Sequence, residues 1–169
     1  MKKYLGGVAI RIGAPRRSPV PSGFPKAVRY AAEQLGEEFG YGKLEIQQSG
    51  DDGVDVIAWR SFGDNRPSQL VILAQCAIGT DWANKRSELD LKVWDHHIRW
   101  HTGPLKAFSV PFVIDTGGTW TETAARGGVV LDRTRLISLL ASGDLQAPFR
   151  KKISKWCAER IKQAQTLSL

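Results

Sequence analysis

Cysteine is scarce in this chain: two among 169 residues, Cys76 and Cys157. They stand far apart, which argues against a disulfide framework and for a reducing, cytoplasmic setting. Long hydrophobic runs are missing too. The apolar stretch 5–10 is broken by Arg11 and is too short for the core of a secretory signal. No stretch approaches the roughly 20 residues of a membrane span, so no membrane partner is expected. There is no P-loop, no GxGxxG turn and no Ser-His-Asp pattern, which removes the common nucleotide-binding and acyl-transfer chemistries. Negative charge is in the minority, with 17 acidic against 24 basic residues and a net charge of +7. That balance favours a polyanionic partner, nucleic acid before an anionic membrane.

The hydrophobic content of 42% suffices for one domain with a core. The chain reads as a single domain over 1–169, with a core over 24–114 and a helical part over 129–165. A strand is expected within 4–13, then a basic, proline-rich lead-in carrying Arg16 and Arg17. A helix over 26–38 follows, since Val28, Ala31, Ala32, Leu35 and Phe39 recur at helical spacing. Strands are expected at 44–48, 54–59 and 70–77, the last buried on both faces because its apolar residues do not alternate. A long helix is expected from Thr80 or Asp81 to Trp100, then a strand over 107–114 and a glycine- and threonine-rich loop over 115–128. A short strand over 129–131, a helix from Asp132 to Ser142 and a helix from Pro148 to Gln165 complete the chain. The simplest packing is α/β: a central mixed sheet flanked by helices.

Three residues ask for a chemical explanation. Asp51 and Asp52 stand before Gly53 and suit a tight turn. Asp55 is different, because Val54, Val56 and Ile57 place it in an apolar strand, where an unpaired carboxylate is costly. Gln75 closes the run Leu70-Val71-Ile72-Leu73-Ala74 and needs hydrogen bonds or a ligand. Lys85 falls on the same helical side as Trp82 and Leu89, from which it can reach back over the strand ends. The plain alternatives are a backbone-satisfied amide at Gln75 and a lysine at Lys85 that snorkels to the rim.

The stretch Gly50-Asp51-Asp52-Gly53-Val54-Asp55-Val56-Ile57-Ala58, with Gln75 on the next strand, resembles the PD-(D/E)XK restriction-endonuclease-like superfamily. Within it the similarity is to the Mrr-like branch, where Gln replaces the second acid. The segment from Gln75 to Lys85, with Val110-Pro111-Phe112 and 131–136, is also similar to nuclease domains of bacterial antiviral defence proteins. The resemblance implies a restriction-endonuclease-like fold and a metal-dependent endonuclease cutting DNA. It implies Mg²⁺ or Mn²⁺ held by Asp55, Gln75 and the backbone carbonyl of Cys76. Ala77 stands where the family has its lysine, and Lys85 is the candidate replacement. A first-helix glutamate often completes such sites. Glu33, Glu37 and Glu38 are available, and Glu33 is preferred because it is mid-helix.

Arg16, Arg17, Lys151, Lys152 and Lys155 are candidate nucleic-acid contacts. In the last helix Phe149, Ile153, Trp156, Cys157 and Ile161 share one side, which reads first as a docked apolar stripe under a solvated basic face. His97 and His101 have a spacing that suits zinc, but no third ligand is near. Helix C-terminal charge is the simpler reading. Two further functions stay open: an inactive nuclease-fold module for DNA binding or assembly, and a protein-interaction subunit of a defence system. A small nuclease needs control, so a homodimer or a partner subunit is expected.

Overall fold

The structure, a computed structural model, describes residues 1–40, 50–140 and 147–166. The chain divides into two compact units, Met1–Leu136 and Ile137–Leu169.

The first unit is α/β. Its elements are α1 (Lys2–Leu5), β1 (Val8–Arg11), α2 (Phe24–Leu35), β2 (Glu38–Phe39), β3 (Val56–Arg60), β4 (Leu70–Cys76), α3 (Trp82–Lys85), α4 (Leu91–His97), β5 (Ile98–Arg99), β6 (Leu105–Ser109), α5 (Gly118–Gly127) and β7 (Val129–Leu131). The helix α6 (Arg133–Ser138) follows. Five strands form a mixed sheet in the order β1-β3-β4-β6-β7, and β2 pairs with β5 in a separate ladder. β1 and β4 run antiparallel to β3, while β6 and β7 run parallel to β4.

Alternation in the sheet separates two apolar layers. Ile57, Trp59, Val71 and Leu73 face α2 and bury Phe24, Ala27, Val28, Ala31, Ala32 and Leu35 against Trp94 and Ile98. Ile72, Ala74 and Ala107 point the other way, under Met1 and Leu5. A third cluster joins Ala77, Phe108, Val110, Ile114 and Val130 to Trp82, Phe112 and Trp120.

Three expectations are corrected. The helix read as 26–38 ends at Leu35, where Gly36 takes a left-handed conformation and its N–H caps the carbonyls of Ala32 and Glu33. Glu38 and Phe39 become β2 instead. The long helix over 81–100 is two short ones. Asp90 caps α4 by accepting from Lys92 N–H, and Ile98 and Arg99 leave it to pair with Phe39 and Glu38. The loop expected over 115–128 contains α5, because Trp120, Thr123, Ala124 and Gly127 share one helical face towards the core. The strand beside β3 is β1, which precedes α2. The expected strand 44–48 lies outside the described residues.

In the second unit, α7 (Ala147–Thr166) is a 20-residue helix. Among the described residues no helix is long and apolar enough to cross a membrane.

Candidate active site

The antiparallel pair β3–β4 brings the start of one strand to the end of the other, so Asp55 and Gln75 are cross-strand neighbours at one end of these two central strands. Asp55 is pinned through its backbone. Its N–H donates to Ala74 O at 2.9 Å, and its carbonyl accepts from Ile12 N at 2.8 Å and Gly13 N at 3.0 Å. Its carboxylate accepts from Cys76 N–H at 2.7 Å. Gly13 makes room for it, since a Cβ there would stand 2.4 Å from Asp55 Oδ1. Burial pushes the Asp55 carboxyl above its ordinary range, against the Cys76 N–H, and Asp51 adds to the rise. Arg11 and Lys85 pull it back down. Asp55 is thus a partly desolvated acid with two cations in electrostatic reach.

The loop before Asp55 is held from several sides. Asp51 accepts from Gly53 N–H and its carbonyl from Val54 N–H, an Asx turn. Asp52, at φ 44°, meets His97 Nε2 at 2.5 Å, and its carbonyl accepts from Trp94 Nε1 at 3.1 Å. Asp52 therefore anchors the loop on α4. Arg16 donates to Ser22 O and Gly50 O and lies over the Phe24 ring. Both terminal nitrogens of its guanidinium are thus engaged by backbone carbonyls. Arg17 is exposed.

Gln75 is 5% exposed and lies on the α2 face of β4. Its Nε2 donates to Glu88 Oε2 at 2.7 Å. Its Oε1 is buried with no hydrogen-bond partner. An acceptor left in that state costs about 1–3 kcal/mol. Glu88, read from sequence as one more charge on a helix, stands in the turn after α3. Its N–H donates to Lys85 O, so one turn carries both residues. That turn rests on the acidic loop, because a Cβ at Gly53 would come within 3.2 Å of Glu88 C and 3.1 Å of Leu89 N. Lys85, half-buried, reaches the site from the end of a one-turn helix rather than from the face of a long one.

Ala77 belongs to the apolar cluster of Phe108 and Val130. The Cys76 thiol is pushed up to about 11 by burial and by Asp55, so it stays protonated and leaves the carbonyl as the donor of that residue. Glu33 is not brought to Asp55. Phe24, at the start of α2, packs on Trp94 and His97 beside the acidic loop, whereas the helix ends near Asn65. Glu33 is exposed in its last turn. Glu37 is buried at the start of β4, accepting from Ser68 N, His101 N and His101 Nδ1. Seven residues of β4 separate it from the site, about 20 Å along a strand. Glu38 pairs with Arg99. His97 and His101 serve two different carboxylates and do not form a pair. Lys151, Lys152 and Lys155 are exposed on α7, with Lys155 4.0 Å from Glu159.

Among the described residues no group of three His, Cys, Asp or Glu side chains is placed to hold a metal ion. A cation here would rest on mixed oxygen donors: the Asp55 carboxylate, Gln75 Oε1 and a backbone carbonyl. Those are hard ligands of the kind Mg²⁺ and Mn²⁺ take, and the orphaned amide oxygen fits such an ion. Compared with protein-family models, with curated proteins and with solved structures, the chain finds no match in any of the three.

Proposed function

We propose that this chain is a metal-dependent endonuclease of restriction-endonuclease-like fold that hydrolyses DNA phosphodiester bonds. The observation that carries the proposal is the convergence of Asp55, Gln75 with its unpartnered buried oxygen, and Lys85 at one end of β3 and β4. A hairpin bearing the acid and the amide, followed by a helical crossover into parallel β6, supports the fold assignment.

Asp55, Gln75 Oε1 and the Cys76 carbonyl would hold Mg²⁺ or Mn²⁺. When bound, the ion supplies a Lewis acid and lowers the pKa of a bound water. Arg11 and Lys85 favour the ionised form of Asp55 that this role needs, against the burial that raises its pKa. Lys85 orients the attacking water and neutralises charge developing on the phosphate oxygens. Arg11 offers a second positive group to the phosphate. Arg17, Lys151, Lys152 and Lys155 are proposed contacts to the DNA backbone, giving affinity that falls with salt. A role in prokaryotic antiviral defence, with a homodimer or partner subunit as control, follows the sequence resemblance.

The second reading, an inactive nuclease fold used for DNA binding or assembly, is favoured by one observation. Ala77 is packed in an apolar cluster where the lysine is usual. Cleavage of supercoiled plasmid with Mg²⁺ or Mn²⁺ decides between them. The nuclease reading expects cutting by wild type, none by Asp55→Ala, and a loss of about 10²–10³-fold for Lys85→Ala. Equal residual cutting by all three proteins overturns it. Full activity in Lys85→Ala alone removes the lysine from the mechanism and leaves the nuclease standing.

A further inference from the structure

Gln75 is held by a partner that can only accept. A carboxylate has no proton to give, so the amide nitrogen must face Glu88 and the oxygen must turn the other way. The structure has that arrangement, with Nε2 2.7 Å from Glu88 Oε2 and Oε1 buried without a partner. An amide free to rotate would present nitrogen to a cation half the time. One held by an acid presents oxygen throughout. Glu88 is itself fixed, through its N–H to Lys85 O and the close approach of its backbone to Gly53.

We propose that Glu88 is a positioning residue that locks the Gln75 amide so that Oε1 is presented to a divalent cation beside Asp55. The inference rests on the cation site of the proposed function and not on cleavage. Glu88 does not touch the ion. It acts as the outer partner that sets the orientation of a ligand, a role whose loss typically weakens metal affinity about 10–100-fold. The same turn therefore supplies the lysine missing at Ala77 and the acid that directs the amide at Gln75.

The test is Mn²⁺ titration of the intact, metal-free protein by calorimetry, with free Mn²⁺ followed in parallel by electron paramagnetic resonance. Glu88→Gln keeps an acceptor oxygen and loses the charge. Glu88→Met keeps the size and loses both. Glu88→Lys reverses the bond, so that Gln75 must turn its oxygen away from the ion. Orientation predicts a loss for the Gln variant smaller than that for Met, because its amide can still accept from Gln75 but can also turn its own nitrogen towards it, a loss of about 10–100-fold for Met, and a larger loss for Lys. Equal weakening in the Gln and Met variants overturns the proposal, because charge alone then explains the effect. Unchanged affinity in Gln75→Ala also overturns it, as does a wild type that binds no Mn²⁺. Thermal melts of each variant establish that it is folded. Glu88 is exposed, so if Gln75→Ala does not fold, the Glu88 series alone decides the outcome. Asp55-dependent Mn²⁺ binding without plasmid cleavage sinks the nuclease reading and leaves this one intact.

Discussion

Gly53→Ala strains the candidate site where its two halves meet. Gly53 has φ +74°, and a Cβ there would stand 3.1 Å from Leu89 Cα and N and 3.2 Å from Glu88 C. All three are backbone atoms, so no flexible side chain can swing aside. The left-handed conformation alone costs an L-residue about 1–2 kcal/mol. Forcing atoms into a packed contact typically adds about 1–3 kcal/mol. Gly63 is the control, with φ +78° and nothing within 4 Å of its Cβ position. Gly63→Ala bears the conformational cost only. Gly53→Ala should therefore lose about 2–5 kcal/mol, and Gly63→Ala about 1–2 kcal/mol. Each kcal/mol lowers the melting temperature by roughly 2–8 °C for domains spanning this size range. Calorimetric melts of the two variants read the difference. Mn²⁺ titration supplies the second readout. Displacing the turn that carries Lys85 and Glu88 should weaken the ion at Gly53→Ala and leave Gly63→Ala unchanged. Equal melting temperatures together with equal Mn²⁺ affinities would refute the docking of the turn on the acidic loop.

Two further outcomes follow from the electrostatics. Burial raises the Asp55 carboxyl above its unfolded value, so its contribution to stability is present at low pH and is lost as pH rises through the folded pKa. Without metal, Asp55→Asn should melt above wild type at neutral pH, the gap closing on acidification. A lower melting temperature for the variant at neutral pH counts against a desolvated carboxylate. At the other end of β4, the Glu37 side chain is 1% exposed and accepts three hydrogen bonds. Glu37→Gln should cost about 1–3 kcal/mol in denaturant unfolding and leave Mn²⁺ affinity untouched. Loss of Mn²⁺ binding in that variant would mean that the site is assigned to the wrong end of β4.

The hairpin at the centre of the sheet was legible in sequence, because the unbroken run from Val71 to Ala74 marks burial on both faces. Asp55 and Gln75 stood out for the same reason, as polar atoms in apolar strands. The break between α3 and α4 was hidden. Trp82 and Leu89 keep helical spacing yet enter separate clusters. What ends α4 is the pairing of Ile98 and Arg99 with Phe39 and Glu38, a long-range contact no local window contains. Glycine and threonine obscured α5, since their low helix propensity outweighed the spacing of Trp120, Thr123 and Ala124. Glu88 carried no local signal. Its meaning comes from an amide thirteen positions earlier, across a strand end and a helix.

The order in which the chain is made bears on the place where Gly13, Asp55, Gln75 and Glu88 meet. Synthesis delivers Gly13 and Asp55 first, then Gln75, and only afterwards the turn with Lys85 and Glu88. The acidic loop then waits for Trp94 and His97, which tie down Asp52. A growing chain that ends before Lys85 holds the acid and the amide but neither the lysine nor Glu88. The arrangement of Asp55, Gln75, Lys85 and Glu88 is therefore incomplete until more than half of the first unit has been made.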